Sequence, residues 1–283
     1  IMIHGTNYTL TKKDALLKNG QVTLKFLPRI KHGDLQFGNG YAERAKLIGR
    51  YFRAEFASLK AEIEQPKYFR EKLIYNYIYK GPLLEWYMRI KTSMEKNYKT
   101  FCELVPQQGK ILDIGCGYGF MAYMLSFTSA QRKITGLAYD EEKIDTANNC
   151  FSKTNNINFV HGDVMGFEFE QYDAIIVADM LHYLPPAEQK QVIEKCISNV
   201  NPGGKLIIRD GDADKEAMHK KTKLTEFFST KLFNFNKTKE TGLSFLSGTM
   251  IRNLAAEKNM DCSEMPDSKH TSNTLFILKA RAN

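Results

Sequence analysis

The run Ile111-Leu112-Asp113-Ile114-Gly115-Cys116-Gly117-Tyr118-Gly119-Phe120 decides the fold of this 283-residue chain. Strand-forming residues around an embedded acid lead straight into three alternating glycines, and an apolar helix-forming stretch follows. A strand that turns through a glycine loop into a helix brings backbone N–H groups to the carboxyl end of a sheet, where ligands approach. The spacing is Gly-x-Gly-x-Gly. Dinucleotide folds use Gly-x-Gly-x-x-Gly, and Phe120 stands where that third glycine belongs, which weakens a hydride-transfer reading.

After Gly109 strands alternate with helices, which argues for βαβ units and a parallel sheet. The strands read as Lys110 to Ile114, Lys133 to Ala138, Ile157 to His161, Tyr172 to Ala178, Lys205 to Arg209 and Thr274 to Ala280. A helix from Ala187 to Val200 ends at Asn201-Pro202-Gly203-Gly204. Residues 211–247, rich in Lys and Phe, fit no strand pattern and read as a candidate lid. Residues 1–105 read as a largely helical extension: two short β-like runs at Ile1 to Ile3 and Val22 to Leu27, then helices at Tyr41 to Glu64, Tyr68 to Tyr79 and Leu83 to Leu104. Residues 106–283 form the main domain.

The hydrophobic fraction of 43% and the charged fraction of 25% are ordinary for globular proteins, and no apolar run is long enough to span a membrane. The opening Ile1-Met2-Ile3-His4 reads as a cut start, and with no export signal the expected compartment is the cytoplasm, or the periphery of the inner membrane. Cys102, Cys116, Cys150, Cys196 and Cys262 contain no CxxC pair and read as free thiols, and no metal site is expected. A net charge of +8 favours an anionic partner such as a membrane surface or an acyl-carrier protein. Nucleic acid is not expected, because the lysines are spread along the chain and no RRM, KH or zinc-finger pattern occurs.

Asp113 followed by Gly-x-Gly-x-Gly resembles the first motif of class I S-adenosylmethionine (SAM) dependent methyltransferases, over roughly residues 106–283. The resemblance implies an α/β fold, a Rossmann-like, mostly parallel seven-stranded sheet, and SAM as cofactor. It implies that Asp113, Gly115, Cys116 and Gly117 hold the methionine end. The family's ribose-binding acid would fall at Ala138, which departs from the pattern; Asp140 either replaces it or caps the next helix. In His161-Gly162-Asp163-Val164 the resemblance gives Asp163 the adenine amino group and Val164 the ring face.

Val177-Ala178-Asp179-Met180-Leu181-His182-Tyr183 resembles the family segment beneath the transferring methyl group, which implies Asp179 and His182 as candidate catalytic residues and Asp179 also as a SAM-binding one. Methyl transfer from a sulfonium is an in-line displacement needing alignment, dryness and, for a hydroxyl acceptor, a base. His182 has the ordinary pKa for that base, or else packs and bonds within its loop; His161 and Tyr118 have weaker claims. Asp210 is expected to point toward the cleft mouth. Phe227, Phe228, Phe233, Phe235 and Phe245 either line an apolar acceptor pocket or form core. No Asn-Pro-Pro-Tyr motif occurs, so a small or lipid-linked acceptor methylated at oxygen or carbon is favoured.

Residues 1–30 also resemble the last strands of a lysophosphatidic-acid-type acyltransferase, without its His followed four residues on by Asp. That resemblance implies a piece of an acyltransferase–methyltransferase fusion, of the kind found in bacteria making aryl polyene pigments. The other readings are a SAM-fold scaffold that no longer catalyses, which Ala138 keeps open, and nucleic-acid methylation, which rests on charge alone.

Overall fold

The computed structural model describes residues 1–9, 20–31, 34–94, 97–214, 244–266 and 273–281. Seven strands form the central sheet: β3 Gly109–Ile114, β4 Arg132–Ala138, β5 Ile157–His161, β6 Tyr172–Ala178, β7 Val200–Gly211, β8 Asp261–Pro266 and β9 Asn273–Lys279. Their spatial order is β5-β4-β3-β6-β7-β9-β8. Every neighbouring pair is parallel until β9, which runs antiparallel to both β7 and β8. This is the Rossmann-like, mostly parallel seven-stranded sheet that the resemblance implies.

Strand order reverses between β3 and β6, which leaves a crevice at their carboxyl ends. The helices that connect the strands are α6 Phe120–Thr128, α7 Glu141–Asn148, α8 Pro186–Ser198 and α9 Gly248–Glu257. Side chains of β3 alternate between the two faces of the sheet. Ile111 joins the core with Phe120, Tyr123 and Ile144, while Leu112 and Ile114 join Val192, Ile193, Ile251 and Leu254 on the other face.

The amino-terminal part holds the strands β1 Met2–His4 and β2 Thr23–Lys25, the one-turn helix α1 Thr6–Thr9, and the helices α2 Tyr41–Ile63, α3 Arg70–Tyr75, α4 Pro82–Met94 and α5 Tyr98–Leu104. β1 and β2 pair antiparallel as a separate two-stranded sheet. Phe69, Leu73, Tyr77, Leu84, Met88, Tyr98 and Phe101 are buried in the same core as Ile111 and Phe120, so α3, α4 and α5 cover one face of the main sheet.

Three sequence expectations need correction. The helix expected from Leu83 to Leu104 is two helices, α4 and α5. The helix expected over Tyr68 to Tyr79 is α-helical only in α3, with turns on both sides. β8 is absent from the six strands read from the sequence: all its residues are exposed and among the described residues it pairs with β9 alone, so no apolar alternation marks it. Most of the expected 211–247 segment, with Phe227, Phe228, Phe233 and Phe235, lies outside the described residues.

Candidate functional site

The loop from β3 into α6 has Gly115, Gly117 and Gly119 at φ of +77°, +52° and +79°, a left-handed geometry that favours glycine three times over. The three are not equivalent. A Cβ on Gly115 would meet the Met180 side chain at 2.8 Å, and one on Gly119 would meet Phe159 at 2.5 Å. A Cβ on Gly117 would meet nothing within 4 Å. Gly115 and Gly119 are thus required by packing, while Gly117 faces open space above the loop. The loop is tied to β4 by the N–H groups of Gly115 and Cys116, which donate to the Leu137 carbonyl at 2.8 and 3.1 Å.

Asp113 is buried inside β3, and its Oδ2 has no hydrogen-bond partner. Burial raises its carboxyl pKa to about 7. An unpartnered buried carboxylate oxygen beneath an open glycine cradle suits a ligand that brings positive charge and polar groups to the loop, as SAM does with its sulfonium and ammonium. Cys116 is partly buried, and its thiol is raised well above its ordinary pKa by burial and then by the nearby Asp113. The helical extension reaches this loop directly: the Tyr77 hydroxyl donates to the Tyr118 carbonyl at 2.7 Å, and Tyr77 and Tyr87 pack on Phe120.

At the end of β4, Ala138 is buried and pairs in register with His161. Asp140 is the N-cap of α7, with Oδ1 accepting from the Lys143 N–H at 3.3 Å and Oδ2 lying 3.8 Å from Lys143 Nζ. His161 Nε2 bonds to the Tyr139 carbonyl at 3.0 Å. Asp163 closes a turn by accepting the Met165 N–H at 3.0 Å, and it lines an open depression of about 480 Å³ with His161, Gly162, Gly166, Phe167 and Glu168. Val164 is buried among core residues, and its carbonyl accepts from Lys195. The depression does not include the glycine loop.

Beyond β6 the backbone turns through Asp179 at φ +53°, rare for a non-glycine residue. Its carboxylate makes a two-pronged ion pair with Arg209 of β7, through Nε at 3.1 Å and through Nη2. Burial alone would raise the Asp179 pKa, but Arg209 and then Lys91 of α4 outweigh it and hold the carboxyl below its ordinary value. His182 sits in the 3-10 turn Leu181–Tyr183, its Nδ1 2.6 Å from Asp210 Oδ1, and its N–H donates to Asp210 Oδ2 at 3.2 Å. Asp210 does not point to the cleft mouth as expected. It is buried at the end of β7, where the histidine side chain and the N–H groups of His182 and Gly211 satisfy it.

Sequence reasoning missed Arg209 and Gln189. The signal for Arg209 was available, since a charge that closes the apolar run Leu206-Ile207-Ile208 needs a partner. Gln189 carried no such signal. Its buried Nε2 donates to the carbonyls of Leu181, Leu184 and Ser244, which closes the turn around His182 against the chain that follows residue 243.

Residues 111–204, the part of the chain with this loop and these strand ends, match a family described as a methyltransferase domain. Over those residues the chain is similar to that family. Carboxy-S-adenosyl-L-methionine synthase of Campylobacter fetus subsp. fetus (strain 82-40) is 26% identical over 102 residues, 36% of this chain and 44% of that protein. The same-named protein of Shewanella sp. (strain W3-18-1) is 23% identical over 106 residues, again 36% and 44%. The chain thus spans about half the length of the curated relatives it matches. Among solved structures, human N-acetylserotonin methyltransferase in complex with SAM superposes with a TM-score of 0.52 and 19% identity, over 73% of this chain and 58% of that one. An O-methyltransferase family 2 protein from Planctomyces limnophilus in complex with apigenin gives 0.51 and 17%, over 69% and 60%. At these identities the likeness is one of fold, that of class I methyltransferases.

Proposed function

We propose that the methyltransferase domain binds SAM at the carboxyl edge of β3, β4 and β5 and transfers its methyl group to a small or lipid-linked acceptor, at oxygen or carbon. The observation that carries this reading is the open left-handed cradle at Gly117 above the unpartnered buried Asp113 Oδ2, within the segment that matches the methyltransferase family. Asp113, Gly115, Cys116 and Gly117 would hold the methionine end, Asp140 the ribose, and Asp163 with Val164 the adenine. Asp179 shapes the floor through its turn and its pair with Arg209 rather than acting as a base. When bound, SAM supplies an activated methyl group on a sulfonium.

His182 is the base in this reading. With Nδ1 bonded to Asp210, the basic nitrogen of the neutral ring is Nε2, and the buried aspartate stabilises the imidazolium that forms when a proton is taken. The O-methyltransferase neighbours support an oxygen acceptor only through their fold. The hairpin that resembles an acyltransferase end adds nothing to this site, since His4 and Lys25 are engaged with Glu64 and Glu55 of the extension.

A SAM-fold scaffold without catalysis is the second reading, favoured by Ala138 at the ribose position and by the capping role of Asp140. Calorimetry of SAM and S-adenosylhomocysteine on the chain and on Asp163→Ala separates the two. Micromolar binding that the substitution weakens at least tenfold supports the cofactor site. No binding to the unsubstituted chain removes the methyltransferase reading.

A further inference from the structure

The small sheet of β1 and β2 turns one face inward, where Met2 is buried beside polar groups, and the other outward. His4 is buried, with Nε2 3.0 Å from Glu64 Oε1 and its ring against Phe56 and Tyr68; Lys25 pairs with Glu55 at 3.1 Å. The side chains alternating with these point the other way. Ile3 lies opposite Leu24, and Ile3, Val22, Leu24 and Phe26 are 53%, 48%, 55% and 71% exposed. Alternation normally sends apolar residues to the core and polar ones to water. An entirely apolar outward face on a two-stranded sheet needs an occupant.

Charge identifies the occupant. The +8 of the chain is not evenly distributed: residues 1–100 carry 19 Lys and Arg against 9 Asp and Glu, while residues 101–283 carry 21 against 23. The asymmetry is sharpest at the start of the sequence, where residues 1–31 hold six Lys and Arg against the single acid Asp14. Arg29 and Lys31, which follow Phe26 by a few residues, are exposed. An apolar face in a basic stretch matches the surface of an anionic bilayer, which takes aliphatic and aromatic side chains among the acyl chains and cations at the headgroups. A second copy of the chain would bring the same positive charge and repel.

We infer that the β1–β2 face docks on an anionic lipid surface, inserting Ile3, Val22, Leu24 and Phe26 and holding the methyltransferase domain at the membrane. The face contributes no residue to the SAM site, so this inference and the methyl-transfer reading stand or fall separately. The test is co-sedimentation with vesicles of phosphatidylcholine alone or mixed equally with phosphatidylglycerol. The expected result is partition onto the mixed vesicles only, weakened by salt and by Arg29→Glu with Lys31→Glu, and reduced at least tenfold in the Ile3→Ser, Leu24→Ser, Phe26→Ser variant. Circular dichroism and an unchanged unfolding midpoint show that this variant is folded. As a milder probe, Phe26→Trp in a Trp86→Phe background shifts its emission to the blue when mixed vesicles are added. Absence of binding to mixed vesicles, or undiminished binding by the triple-serine variant, overturns the inference. So does a dimer in sedimentation velocity that the serine variant abolishes while neither protein binds vesicles, since the face is then covered by a second copy.

Discussion

His182 Nδ1 and Asp210 Oδ1 lie 2.6 Å apart, with the two residues 3% and 2% exposed, and the same carboxylate accepts the His182 N–H through its other oxygen. One buried acid thus fixes both the ring and the backbone of the proposed base. Asp210→Asn keeps the volume but can offer its N–H to the ring, which favours the other tautomer. The expected outcome is a loss in kcat on the order of 10²-fold or more, with SAM affinity changed less than twofold. Calorimetry beside steady-state rates on any accepted substrate checks it, and a variant with undiminished kcat removes His182 as the base.

The glycine loop yields a paired prediction. Gly117→Arg puts a long side chain into open space at a left-handed φ, a strain of about 1–2 kcal/mol, so the fold persists while SAM binding disappears. Gly119→Ala instead drives a Cβ against the Phe159 ring at a left-handed φ, and should lower stability by about 1–3 kcal/mol. Urea unfolding and calorimetry on both variants resolve the roles. Normal SAM binding by Gly117→Arg would mean that the cofactor does not lie over Gly117.

The six strands read from the sequence are all present, because strands buried on both faces carry apolar runs such as Ala174 to Ala178 and Leu206 to Ile208. β8 escaped because an exposed edge strand is specified by backbone pairing to β9 and not by its side chains. The glycine loop was legible in its spacing, but not the division between glycines needed for packing and the one facing open space, which depends on Met180 and Phe159 from distant parts of the chain. For the same reason His182 can be named from its segment, while the burial of Asp210 against it, 28 residues on, cannot be read from the sequence. Long-range pairing of polar groups carries no periodicity.

Asp113 makes stability depend on pH. Burial raises its carboxyl from an ordinary 3.8 to about 7, so the folded chain holds this proton more tightly than the unfolded chain does. The stabilisation is complete below about pH 4 and is lost as pH rises from there through 7, with a total on the order of 4 kcal/mol. Asp113→Asn mimics the protonated form and lacks this dependence. The difference in unfolding free energy between the variant and the unsubstituted chain should therefore shift in favour of the variant from about pH 5 to about pH 8. Denaturant unfolding at the two pH values measures it, and a difference that does not change with pH means that Asp113 does not titrate in this range.

Gln189 tests whether the His182 turn must be held rigid. Its buried amide donates to Leu181 and Leu184 on either side of the histidine, at 3.1 and 3.0 Å, and to Ser244 at 2.7 Å; the Ser244 N–H in turn donates to the His182 carbonyl. Gln189→Leu preserves bulk but leaves these carbonyls short of a donor, at a cost of about 2 kcal/mol in stability. If the clamp only supports the fold, activity below the unfolding transition stays as it was. If it positions the base, kcat falls at least tenfold in a fully folded sample with KM for SAM unchanged, and the pH profile of kcat moves with it. The two cases separate because the amide touches the backbone on both sides of His182 but not the ring itself.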